Sequence, residues 1–236
     1  MYMYRYGFDW TYLLVLIGIG LTLLASGYLK STMAKYSRVA SVSGLTGAEA
    51  ARRILRFNGI LDVDVVPIAG NLTDHYNPRN KTLSLSQGVF ESTSIAALGV
   101  AAHECGHAIQ DDKGYLPLRL RSAFVPLANL GSSLAWPVIV AGLLLSRFSF
   151  SAILMQIGIS LFLLAVLFQI ITLPVELNAS RRALVQLEQN SLLLPDEQKR
   201  AKRVLRAAAM TYVAAAATGV LQLLRLMILA NGRRRH

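Results

Sequence analysis

The chain has 236 residues, of which 54% are hydrophobic and only 16% charged. Soluble domains carry about 25% charged residues, so this composition excludes an ordinary soluble enzyme and points to an integral membrane protein. The net charge of +11 then belongs to loops beside anionic lipid, and no interleaving of arginines with aromatics points to nucleic acid.

Residues 1–10 are rich in aromatics (Tyr2, Tyr4, Tyr6, Phe8, Trp10), the residue types that collect at membrane interfaces. An apolar run over about 11–29 follows. Its leading segment holds Asp9 and a single basic residue, Arg5, which argues for an uncleaved anchor rather than a signal peptide. Residues 30–120 are the largest polar portion. Thr46-Gly-Ala-Glu49 forms a capping box that starts a helix near Gly47, and Asn58-Gly59 stops it. Arg52, Arg53 and Arg56 form the outer face of that helix. Leu61–Val65 and Thr82–Ser86 alternate apolar and polar residues, while residues 71–80 between them are rich in turn formers. The pattern predicts a two-stranded hairpin with a long loop. Its free edge is either structural or a place where an extended peptide adds as a further strand.

The hairpin leads into His103-Glu104-Cys105-Gly106-His107. Residues four apart share one helix face, so the two imidazoles can grip one metal ion from one side. Glu104 lies about 100° round the helix from His103, beside such an ion rather than on it. Zinc lowers the pKa of a bound water to about 7, which lets a neighbouring carboxylate take its proton. Cys105, about 200° from His103, faces away and is read as packing; as the single cysteine of the chain it excludes an intramolecular disulfide. A helix from a cap at Ser92 to a stop at Asp111–Gly114 carries the motif.

Two further apolar runs, about 123–146 and 148–174, are joined at Arg147-Phe148 as a membrane hairpin, with Trp136-Pro137 a point for a kink and Gln156 and Gln169 as helix–helix contacts. Residues before and after this hairpin therefore lie on the same side. Residues 174–206 are polar again, Pro195 breaks the chain, and Asp196 caps a last helix to about 230 whose apolar part is 207–230. Arg225, near its end, is read as snorkelling. Residues 30–121 hold eleven Lys and Arg and 174–206 hold seven, against five in Arg5, Arg147 and Arg233–Arg235. The positive-inside rule places the two polar segments in the cytoplasm, in conflict with the basic tail if the last helix spans fully. A hydrolytic zinc site takes three protein ligands and leaves one position open. On the same side of the membrane two residues can supply the third ligand: Glu176, just past the hairpin and modestly favoured by pattern, and His75, in the loop before the motif helix.

Four segments together resemble a known family: Leu72-Thr-Asp-His-Tyr-Asn-Pro78, Leu83-Ser-Leu-Ser86, Ala101-Ala-His-Glu-Cys-Gly-His-Ala-Ile-Gln110 and Leu173-Pro-Val-Glu-Leu-Asn-Ala-Ser-Arg-Arg-Ala-Leu184. They are similar to the YugP-type neutral zinc metallopeptidases of bacterial membranes, over about residues 10–230. That family is in turn similar to the HtpX-type and CAAX-prenyl-type membrane peptidases, which pair H-E-x-x-H with a later glutamate. The resemblance implies His103, His107 and Glu176 as ligands of one zinc ion and Glu104 as general base. Four residues after Glu176 the HtpX-type pattern has an aspartate that orients a ligand histidine. This chain has Ser180, so Ser180, Asn178 or Arg181 must serve. Leu177-Asn178 likewise replaces the Phe-Asp of the YugP-type motif.

The expected protein is mostly α-helical and membrane-integral. It has about four membrane helices (11–29, 123–146, 148–174, 207–230) and a zincin-like H-E-x-x-H module with a small β-hairpin, drawn from residues 30–120 and 174–206 within a single domain of 1–236. The expected activity is zinc-dependent hydrolysis of protein or peptide substrates at the cytoplasmic face of a bacterial plasma membrane, with His75 and Arg181 as candidate oxyanion donors. The alternatives are a non-catalytic protein whose zinc ties the two polar segments together and an intramembrane-cleaving zinc protease.

Overall fold

A computed structural model describes residues 9–233. The aromatic residues before Asp9, Arg5 and residues 234–236 lie outside the described residues. The described residues divide into two compact units, one within 9–24, 124–170 and 213–233, the other within Ala25–Ala123 and Ile171–Tyr212.

The first unit is made of apolar helix. Among the described residues four helices are long and apolar enough to cross a membrane: α1 (Tyr12–Tyr36), α5 (Leu116–Leu144), α6 (Ser151–Gln189) and α7 (Pro195–Arg233). Each contributes residues to both units. Helices α6 and α7 have 39 residues each, about twice the ~20 a bilayer requires, because a polar stretch continues each apolar one without a break. Leu13, Leu16, Leu23 and Leu24 of α1 stay exposed, as suits side chains whose solvent is lipid. Small residues set the close approaches. A Cβ on Gly131 would meet the Leu161 carbonyl oxygen at 2.5 Å, and one on Gly158 would meet Ile139 at the same distance. Gln169 sits against Gly219, yet its buried Oε1 accepts no hydrogen bond among the described residues; this contact is packing rather than polar glue. Arg225 stands over the Tyr12 ring at 4.6 Å and donates from Nε to Thr11 Oγ1 at 3.3 Å. Both Pro126 and Pro137 lie inside α5.

The second unit holds the water-excluded core. Helix α2 (Gly47–Phe57) starts at the expected box: Thr46 Oγ1 accepts from the Glu49 N–H, and the Glu49 carboxylate accepts from the Thr46 N–H. The expected two-stranded hairpin is instead a three-stranded sheet in the order β1-β3-β2, with β1 Asp64–Ile68, β2 His75–Asn77 and β3 Thr82–Ser86. Strand β1 runs parallel to β3 with Asp64 opposite Thr82, and β2 runs antiparallel with His75 opposite Ser84. The turn-rich segment reverses the chain twice, so the first and last strands point the same way. Pro67 cannot donate to a ladder and is tolerated because β1 is an edge. Leu83 to Ser86 are all buried, since β3 is the central strand.

After a single turn, α3 (Gln87–Phe90), comes α4 (Ile95–Asp112). Its cap is Ser94, which accepts from the Ala97 N–H, and not Ser92; Ser92 Oγ instead bonds Ser94. The helix ends where expected, with Gly114 at φ +60. Ile54 and Leu55 of α2, Leu83 and Leu85 of β3, Leu98, Ala101 and Ala102 of α4, and Leu187 of α6 form one buried cluster. Fully burying each such leucine or isoleucine contributes about 1.5–3 kcal/mol. Helix α4 is thereby fixed by neighbours on most of its surface.

Candidate metal centre

Helix α4 presents His103 and His107 one turn apart, their ring centroids 4.8 Å from each other. Between them Gly106 lets the helix meet α6 closely: a Cβ there would lie 2.5 Å from the Ala179 carbonyl oxygen. That approach brings in Glu176, three residues before Ala179. Glu176 Oε2 lies 3.2 Å from His103 Nε2 and 3.6 Å from His107 Nε2. One donor atom from each of the three residues lies within 4.8 Å of the others. Ligands about 2.0–2.2 Å from a shared tetrahedral ion are about 3.3–3.5 Å apart. Two neutral imidazoles and one carboxylate at this spacing fit zinc.

The surroundings prepare the donors. Gln110 donates from Nε2 to the Val175 carbonyl (2.8 Å) and to Asn178 Oδ1 (3.0 Å). Its Oε1 therefore faces His107 Nδ1, at 3.0 Å, and can only accept. This fixes the proton of His107 on Nδ1 and leaves Nε2 with a free lone pair. Arg182 Nε in turn holds Asn178 Oδ1 at 2.8 Å. Ser180 Oγ lies 3.2 Å from His103 Nδ1, where its hydroxyl can accept that N–H. On the far side of the carboxylate, Arg121 Nη1 reaches Glu176 Oε1 at 3.3 Å. One oxygen of Glu176 is thus taken by a guanidinium and the other is left for the donor set.

Glu104 is buried and makes no hydrogen bond among the described residues. It lines a cavity of about 180 Å³ together with His103, Asp74, Val204 and Tyr212. Burial pushes its carboxyl up to about 7; His103 and His75 oppose this, while Glu176 and Asp74 add to it. Asp74 is itself held by the Ser86 N–H and hydroxyl at 2.7 and 3.0 Å. Cys105 packs against α2, its Sγ 3.6 Å from the Ala51 carbonyl oxygen, and burial raises its pKa.

Of the residues singled out in the sequence, the structure gathers His103, Glu104, His107 and Glu176, with Ser180 and Asn178 behind them. The other two, His75 and Arg181, are outside the three-donor group. His75 is exposed on β2, its Nδ1–H donating to the Thr73 carbonyl at 2.9 Å, and is outside the donor cluster. Arg181 is exposed on α6. Sequence reasoning missed Gln110, Arg121 and Tyr212. Gln110 stands at i+3 from His107, which was a usable signal. Arg121 reads only as charge at the end of an apolar run, and nothing marks Tyr212.

Four bilayer-length helices and a buried His-His-Glu donor set suited to zinc define a membrane metalloprotein of the hydrolase kind. Over residues 11–231 the chain matches the family described as "Putative neutral zinc metallopeptidase", and it belongs to that family. It is 45% identical over 221 residues to the protein described as "Putative membrane protease YugP" of Bacillus subtilis (strain 168), covering 93% of this chain and 96% of that protein. No solved structure is significantly similar to it. Its cofactor is zinc, and its setting is the membrane.

Proposed function

We propose that this chain is a zinc endopeptidase of the gluzincin type in which His103, His107 and Glu176 hold the ion and Glu104 is the general base. The supporting observation is the convergence of three donor atoms beside a buried carboxylate that has no other bonding role. Bound among these donors, zinc supplies Lewis-acid polarisation of a peptide carbonyl and acidifies a water. Glu104 accepts the proton of the attacking water and delivers it to the departing amine. Its raised pKa suits both transfers near neutral pH. Arg121 holds the Glu176 carboxylate in place, and Gln110 and Ser180 hold the two imidazoles. Tyr212 lines the cavity and offers a hydroxyl to the oxyanion that forms on the substrate. The active site, with the catalytic module drawn from residues 30–120 and 174–206, faces the cytoplasm, as the seventeen basic residues of those two segments support.

A purely structural zinc has no use for Glu104, since a buried carboxylate without partners is a cost to the fold. An intramembrane-cleaving protease would carry the motif on a spanning helix, and α4 is not among the four helices of that kind. The test is Glu104→Gln in the purified full-length protein. The variant is expected to keep its zinc and to lose at least about 100-fold in the rate of cleaving unfolded casein. Cleavage at the wild-type rate with zinc retained would remove the general-base role.

A further inference from the structure

The end of α1 and the start of α7 flank a second, solvent-open concavity of about 380 Å³, lined by exposed charged side chains and by none of the metal-centre groups. Its walls carry four cations, Lys35, Lys199, Arg200 and Arg203, and one acid, Asp196. Asp196 is taken by Lys199 at 2.9 Å. Lys35, Arg200 and Arg203 have no carboxylate partner among the described residues. They share one concavity, although more than 160 residues separate Lys35 from the two arginines in the chain. Like charges gathered this way repel unless an anion sits among them.

The cavity also has a fixed wall. Tyr36 is only 5% exposed and packs with Ala96 and Val204. Arg203 Nη1 donates to the Tyr36 hydroxyl at 3.1 Å, and Lys35 Nζ stands 5.5 Å from the Tyr36 ring centre. The guanidinium of Arg203 is thereby oriented while its remaining N–H groups stay free. A planar fork of this kind, beside point charges, matches the oxygens of a phosphate.

Position along the helices says where that phosphate comes from. Arg203 lies four residues before the apolar run of α7, about 6 Å along the helix, and Lys35 six residues beyond that of α1, about 9 Å, from where its flexible side chain reaches back toward the membrane. Headgroup layers extend about 5–8 Å beyond the hydrocarbon. We infer that this cavity binds a phosphate-bearing anion, delivered as the headgroup of an anionic phospholipid, which clamps the end of α1 to the start of α7.

The test uses full-length, zinc-loaded protein in nanodiscs of phosphatidylcholine with or without phosphatidylglycerol, with bound lipid counted by native mass spectrometry and the thermal midpoint followed in parallel. Phosphatidylglycerol is expected to be retained and to raise the midpoint. Lys35→Gln/Arg200→Gln, which leaves the Arg203–Tyr36 bond intact, should weaken retention about fivefold for each cation removed. Arg203→Gln should weaken it too, whereas the exposed pair Arg53→Gln/Arg56→Gln should not. Equal retention in wild type and both cavity variants, at unchanged zinc content and helicity, would overturn the site. If inorganic phosphate in pure phosphatidylcholine raises the midpoint as much as phosphatidylglycerol does, the lipid source is overturned in favour of a soluble anion. These readouts do not depend on peptide cleavage, so failure here is separate from failure of the proposed activity.

Discussion

The two units of this protein are both mostly helix, yet their side chains are organised oppositely. Around the metal centre, one buried cluster runs through α2, β3, α4 and α6, and polar groups inside it are bonded in chains. In the apolar unit the buried cluster is Ile139, Met155 and Leu226 with two partners, and long hydrophobic side chains point outward. The first arrangement draws its stability from excluding water. The second has lipid for a solvent and relies on small residues that let backbones touch. A single change therefore has different reach in the two places. In the first it should disturb fold and metal together, and in the second fold alone.

The strongest way to break this contrast is Glu176→Ala. Zinc content should fall from one ion to nearly none, and Arg121, whose side chain is 31% exposed, would lose its partner, at about 1–2 kcal/mol once solvent screening is allowed for. Removing Arg121 as well should recover part of the thermal midpoint without recovering zinc. A midpoint that falls equally in single and double variants would show that the pair is not coupled. The matched substitutions Gly106→Ala and Gly158→Ala come next. Each places a Cβ 2.5 Å from a neighbour and should cost about 1–3 kcal/mol. Only Gly106→Ala should also weaken zinc binding, measured by competition with a chelator. Equal zinc affinity in the two variants would erase the distinction between the units.

Smaller effects follow from the groups behind the ligands. Gln110→Ala and Ser180→Ala should lower zinc affinity roughly 10–100-fold, with Gln110→Ala the larger because it also takes away the donor that ties α4 to the Val175 carbonyl and Asn178 of α6. The smallest concerns the sheet. Lys81 Nζ and the Tyr76 hydroxyl both bind Asp111 at 2.8 Å, joining the β2–β3 hairpin to the end of α4. The Asp111 hydrogen bond raises Lys81 above its ordinary value of 10.5, and burial raises Tyr76. A group held protonated in the fold adds stability that is complete below its unfolded pKa and disappears as pH rises through its folded one. Thermal stability should therefore decline above about pH 10, and Lys81→Met should flatten that decline. An unchanged alkaline profile would remove Lys81 from the account.

Much of this was legible in the sequence for local reasons. The spacing of His103 and His107, the box at Thr46 and the stops at Asn58 and Gly114 depend only on neighbouring residues. Four apolar runs announced four helices. Glu176 could be reached because the membrane hairpin returns the chain to one side. What was not legible depends on distant partners. Ser92 and Ser94 are equal as caps until the chain before the helix is placed. Strand β2 is three residues within a run of turn formers, and it exists because β3 offers it a ladder. Arg121 and Tyr212 acquire meaning only through their neighbourhood with Glu176 and Glu104.

The partners of the two histidines carry a consequence of their own. A carboxylate behind a ligand imidazole pulls on its proton and makes the ring a stronger electron donor. Here the partners are an amide oxygen and a hydroxyl, and neither bears charge. In the proposed centre such partners would pull less on the rings, and the cation would receive less electron density. Such a centre is a stronger acid and a looser possession, so the enzyme should trade tenacity toward its metal for polarising power.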